Sequence, residues 1–178
     1  MAHIQQFNYI EGIKKRYQDN FNDSKVLEVG SLDINGTIRK YFSGCEYLGI
    51  DVGPGKGVDT VIQGQNFKGP DKYFDTVMSC ECFEHNPYWV DTFINMHRVC
   101  KTGGLIVMTC ATTGRKEHGT MRSEPESSPL TVASGWDYYK NLEEKDFKLV
   151  LELDKMFSTY EFSNNLDVFD LYFVGVVK

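Results

Sequence analysis

The chain carries no G-x-G-x-x-G and no G-x-x-x-x-G-K-[ST]. Neither of the glycine loops that cradle a diphosphate is therefore written into it. It has no apolar run approaching the ~18 residues a membrane span requires. Met1-Ala2-His3-Ile4-Gln5-Gln6 lacks both the basic start and the apolar core of a secretory leader, so a cytoplasmic location is expected. It has no basic stripe: 19 Lys and Arg against 25 Asp and Glu leave a charge of −6. Lys14-Lys15-Arg16 is the single tight cationic group and reads as a solvated helix face. Neither nucleic acid nor an anionic membrane is expected as a partner. The five cysteines, Cys45, Cys80, Cys82, Cys100 and Cys110, are odd in number and lie mostly in apolar contexts. Reduced, buried thiols fit them better than a disulfide framework.

What is present is organised around residues 26–36, VLEVGSLDING. Val26, Leu27 and Val29 read as a short buried strand, ended by Gly30. A polar turn follows, and Thr37–Phe42 can begin a helix. Strand, glycine-bounded loop and helix make the opening unit of a nucleotide-binding α/β sheet. Glu28 stands inside the strand end, where a carboxylate suits a cationic or amine-bearing ligand and repels phosphate. The length of 178 residues suits a single domain, 1–178.

Before this unit, Ile4, Phe7, Ile10, Ile13 and Tyr17 share one face of a helix, so residues 1–24 read as a helical cover. After it, Tyr47–Asp51 is a second strand tipped by an acid. Asp51 follows Glu28 by 23 residues, the offset at which an acid meets a ribose held on the first loop. A turn or helix-cap aspartate is the plainer alternative. Val58–Ile62 reads as a third strand, Phe74–Ser79 as a fourth, and Leu105–Thr109 as a fifth, with a helix from about Pro87 between the last two. Residues 111–139 lose periodicity and read as a lid or substrate loop over the cleft. Trp136, Tyr138 and Tyr139 cluster at its end. Two β-rich segments close the chain as a hairpin-like pair.

Glu28-x-Gly30, the Phe74-Asp75-x-Val77 start, Glu84-His85 and the stretch VCKTGGLIVMTC resemble the motifs of class I S-adenosylmethionine-dependent methyltransferases, of the type 11 kind. The resemblance implies an open seven-stranded Rossmann-like α/β sheet with an antiparallel last strand and helices on both faces. It implies S-adenosylmethionine as cofactor, leaving as S-adenosylhomocysteine. Glu28, Gly30, Ser31, Asp51, Val52, Gln63 and Gly64 would line its site, with Glu28 toward the aminoacyl part and Asp51 on the ribose. Gln63 stands where relatives carry an acid facing the adenine amine. Ser79 and Glu81 would border the sulfonium. The long glycine loop puts Asp33 and Asn35 in doubt as contacts.

Methyl transfer from a sulfonium needs positioning and a dry cleft more than acid–base work. Should a base be needed, His85 and His118 are the candidates, since imidazole titrates near neutrality. A helix-start histidine and a solvated loop residue are their plainer readings. Cys80-x-Cys82-x-x-His85 has metal-ligand types, but zinc wants a fourth ligand and both cysteines end an apolar strand, so no metal is expected. The expected activity is methyl transfer to a small-molecule or glycan-like acceptor. The alternatives are an NAD-dependent oxidoreductase on a similar sheet and a cofactor-binding module without turnover.

Overall fold

The computed structural model describes residues 3–178; Met1 and Ala2, which open the stretch read as lacking a leader, lie outside it. Seven strands form one sheet: β1 Lys25–Val29, β2 Glu46–Asp51, β3 Thr60–Val61, β4 Phe74–Cys80, β5 Cys100–Ala111, β6 Phe157–Asn165 and β7 Asp170–Val177. Their order is β3-β2-β1-β4-β5-β7-β6. The first five run parallel, and β7 enters antiparallel between β5 and β6. The reversed last strand follows from the short link at Leu166–Phe169, which has no room for the crossover helix a parallel pair requires.

Alternation along the central strands feeds two cores. Ile106 and Met108 of β5 face one side, with Leu27, Val77 and Phe173. Helices α2 (Trp89–Val99) and α4 (Glu144–Val150) cover that side through Phe93, Met96 and Phe147. Leu105 and Val107 face the other side, under helix α1 (Ile4–Arg16) through Ile10 and Ile13. Two shorter helices, α3 (Pro129–Ala133) and α5 (Leu153–Met156), complete the set.

Three elements differ from the sequence reading. Thr37–Phe42 makes only the 3-10 turn Ile38–Tyr41. The loop to Gly36 takes seven of the sixteen residues between β1 and β2, and the nine that remain, 37–45, must also travel back to the start of β2. The third strand shrinks from Val58–Ile62 to Thr60–Val61, because only Ile50 and Asp51 of β2 extend far enough to pair with it. The fifth begins at Cys100 and reaches β4 through a register shift between Phe74 and Thr76. Among the described residues no helix is long and apolar enough to cross a membrane.

Candidate functional site

β1 and β2 end side by side, Val29 level with Ile50, so the loops after them share one rim of the sheet. Gly30 makes this rim compact. Its φ is +81°, and a Cβ there would lie 2.7 Å from Cys82 Cβ and Sγ, so the loop after β1 presses on the loop after β4. Asp51 holds the same rim from the other side. Its carboxylate accepts from Leu32 N at 3.0 Å and Val52 N at 2.7 Å, which ties the β1 loop to the tip of β2.

These loops border a cleft lined by Glu28, Gly30, Ser31, Asn35, Asp51 and Glu81, among others. A narrower recess of about 310 Å³ adjoins it through Gly30, Asp51 and Cys82, and is lined further by Val52, Ile62, Gly64 and Trp136. Asp51 thus stands where a polar cleft meets a mostly apolar slot. Three oxygens at the cleft wall, Gln6 Oε1, Ser31 Oγ and Glu81 Oε2, are buried without a hydrogen-bond partner. Together with the carboxyl groups of Glu28 and Asp51 they make a wall rich in oxygen and in acids. Such a wall suits a ligand that brings donors and positive charge.

Glu28 is 5% exposed and accepts from Tyr47 Oη at 2.7 Å. Burial, foremost, pushes its carboxyl up to about 8, against the pull of the Tyr47 bond; the nearby Asp51 and Asp33 push it further up. The folded protein therefore keeps a proton that the unfolded chain gives up near 4.5. Stability contributed by this group is full below pH 4.5 and is lost as pH rises through about 8. The slope is at most ~1.4 kcal/mol per pH unit. Glu28→Gln, which still accepts from Tyr47, should remove that slope. Urea unfolding at pH 5 and pH 8.5 should show the variant gaining on the wild type at the higher pH.

Glu81 occupies a left-handed conformation, φ +52°, uncommon for a residue other than glycine and held here by its neighbours. Its backbone N donates to Thr109 O, and Thr109 Oγ1 donates to its carboxylate, each at 2.8 Å. His3 Nε2 lies 2.9 Å from Asp170 and 3.8 Å from Glu81. Burial opposes charge on His3, but these two acids outweigh it and raise the imidazole to about 9. Beyond this partition lies a further cavity of about 1030 Å³, lined by His3, Arg115, Lys116, His118 and Phe169 among others. Ser127 borders both cavities.

The residues expected at the cofactor site divide. Glu28, Gly30, Ser31, Asp51, Val52, Gly64 and Glu81 line the cleft or its recess. Gln63 does not: its carbonyl oxygen accepts from Gln65 and Asn66, and its neighbours Ile62 and Gly64 face the recess instead. Ser79 is fully buried and donates to Val29 O at 2.9 Å, so it braces β4 against β1. Of the doubted pair, Asn35 lines the cleft and Asp33 pairs with Lys56 at 2.7 Å. His85 and His118 come together, ring centroids 5.0 Å apart, both buried and neither a solvated loop residue. The five cysteines are free, and burial raises the thiols of Cys80 and Cys82 far above their usual range.

Gln6 of α1, Thr131 of α3, and Ser127 and Trp136 on either side of α3 were not singled out as contacts. Gln6 alone carried a signal, a polar residue next to the apolar face of an amphipathic helix. Trp136 was read only as part of an aromatic cluster.

Residues 27–108 match the family model of a methyltransferase domain. No curated protein matches the chain by sequence. Its fold is similar to phosphoethanolamine N-methyltransferase 2 of Haemonchus contortus in complex with S-adenosyl-L-methionine. The TM-score is 0.65 at 16% identity, over 96% of this chain and 52% of that one. It is also similar to the 1,6-didemethyltoxoflavin N1-methyltransferase of Burkholderia thailandensis with S-adenosylhomocysteine bound. Here the TM-score is 0.66 at 10% identity, over 97% and 78%. A third likeness is to the PH0226 protein of Pyrococcus horikoshii OT3, with a TM-score of 0.63 at 16% identity, over 98% and 91%. The chain spans about half the length of the first of these. Its fold is the class I methyltransferase fold that the sequence motifs implied.

Proposed function

We propose that this chain, a class I methyltransferase by fold, transfers a methyl group from S-adenosylmethionine to a small-molecule or glycan-like acceptor. The observation that carries the reading is the concentration of acidic side chains on the cleft wall. Glu28, Asp51 and Glu81 line it with unpartnered oxygens of Gln6 and Ser31, and among the described residues no lysine or arginine lines it. A sulfonium nucleoside with an ammonium tail brings the positive charge and donors this wall lacks. A dinucleotide would bring a pyrophosphate to three carboxyl groups.

The residues then divide the work. Asp51 accepts from the ribose hydroxyls with the lone pairs left over from Leu32 and Val52. The slot between Val52, Ile62 and Trp136 takes the adenine ring by apolar contact. Glu28, Ser31 and Gln6 face the aminoacyl part. Bound there, the cofactor supplies an electrophilic methyl group for in-line displacement by the acceptor. The protein aligns the two and excludes water. The acceptor side is the cavity past Glu81 and Ser127, where Arg115 and Lys116 suit hydroxyl-rich or anionic groups.

S-adenosylmethionine and S-adenosylhomocysteine should each stabilise the protein, and NAD should not. At a hundredfold excess over the dissociation constant the gain is ~2.7 kcal/mol, or roughly 5–11 °C in Tm for a chain of this size. Thermal unfolding with each compound checks this. A shift with NAD alone would replace the transferase reading with the oxidoreductase one.

A further inference from the structure

Three buried side chains bring polar atoms together without hydrogen-bonding one another. Glu84 and His85 stand on the 3-10 turn after β4, and His118 on the loop after β5. Both oxygens of Glu84, both ring nitrogens of His85 and Nε2 of His118 are buried without a hydrogen-bond partner. Folded cores leave very few such groups unpaired, and five atoms in one place call for an explanation.

The geometry supplies one. A donor atom from each residue lies within 4.8 Å of the others. Glu84 Oε1 and His85 Nε2 are 3.9 Å apart, too far for a hydrogen bond. That gap fits an ion about 2.0–2.2 Å from each. His118 Nδ1 lies 3.0 Å from the carbonyl of Lys116, which can only accept. The ring proton is thereby fixed on Nδ1, and the Nε2 lone pair faces the cluster. A backbone carbonyl orienting an imidazole in this way is how metal-binding histidines are commonly held. The chain is also shaped to bring His118 here. Gly119 has φ +63°, and a Cβ on it would lie 2.6 Å from His85 Cε1. Tyr139, whose hydroxyl is likewise unpartnered, lies 5.6 Å and 5.1 Å from the two imidazole rings, centroid to centroid.

The neighbouring cluster of His3, Glu81 and Asp170 makes the contrast. There Arg115 lies 3.2 Å from Asp170, and His3 pairs with both acids, so the charges answer one another without an ion. Among the described residues no Lys or Arg pairs with Glu84.

We propose that Glu84, His85 and His118 hold a divalent first-row metal ion. One carboxylate and two imidazoles leave coordination positions open, as catalytic rather than structural sites do. His118 borders the large cavity past Glu81, so the ion lies at its wall and offers an open position to an oxygen of the acceptor. That last role rests on the transferase reading; the ion site itself does not. The metal expected to be absent from Cys80-x-Cys82-x-x-His85 is thus assigned to oxygen and nitrogen ligands, with His85 alone common to both sets.

The full chain, stripped with a chelator, should be titrated with zinc chloride and with manganese chloride, and bound metal counted after gel filtration. One saturable equivalent is expected, with a rise in Tm. Glu84→Gln and His118→Ala should each weaken binding at least tenfold, and Cys82→Ser should leave it unchanged. Should Glu84→Gln fail to fold, His118→Ala, on the loop, carries the test. Absence of saturable binding overturns the proposal, as does binding that survives in every folded ligand variant or is lost with Cys82→Ser. S-adenosylhomocysteine binding is scored on the same samples. A protein that takes one ion but ignores the nucleoside overturns the transferase reading and the acceptor role, and leaves the metal site standing.

Discussion

Asp51→Ala is expected to weaken S-adenosylhomocysteine binding by about 100-fold or more. Each hydrogen bond from a ribose hydroxyl to a carboxylate is charge-assisted and contributes ~1.5–3 kcal/mol. Two of them correspond to a factor of roughly 10²–10⁴. The carboxylate also ties Leu32 N to Val52 N, so its loss slackens the rim between the β1 and β2 loops. Asp51→Asn separates the two effects. It keeps one acceptor for the backbone and loses the charge, so its affinity should fall between wild type and Asp51→Ala. Isothermal titration with each protein decides this. Wild-type affinity in Asp51→Ala, with an unchanged Tm, would remove Asp51 from the ribose.

Phe93→Ala should destabilise the fold by roughly 3–5 kcal/mol, the usual cost of emptying a large aromatic site. Phe93 is fully buried and packs on Phe83, Phe147, Phe157 and Phe173, with centroids 5.4–6.3 Å away. These partners come from the turn after β4, from α4, from β6 and from β7. No single neighbour can close the void without dragging an element with it. A loss of that size is a large share of the ~5–15 kcal/mol that holds a domain folded. Leu166→Ala, on a side chain 71% exposed, should change little. Urea unfolding of both variants measures the difference.

The strands were legible because their signal is local. Val26–Val29, Phe74–Ser79 and Leu105–Thr109 are apolar runs of strand length, and the closing pair had no helix between its members. Glu28 and Asp51 were legible because a strand tip fixes where its residue stands, whatever the loops do. Gln63 was misplaced for the opposite reason. It lies on a short turn where its own neighbours Gln65 and Asn66 compete for its carbonyl. The helix expected from Thr37 failed because local pattern does not register how few residues remain before the next strand. Ser127, Trp136 and the meeting of His118 with His85 depend on where residues 111–139 fold back, a matter of tertiary packing that no periodicity encodes.

β7 is the latest strand in the sequence to join the sheet, yet it lies inside it, hydrogen-bonded to β5 on one side and β6 on the other. During synthesis the long β5 must wait with an unpaired, apolar edge until Asp170–Val177 has emerged. That edge is a template for pairing with another chain. A nascent or prematurely ended polypeptide that stops at the hairpin turn would therefore stay sticky, and commitment to the native state is deferred until β7 has emerged.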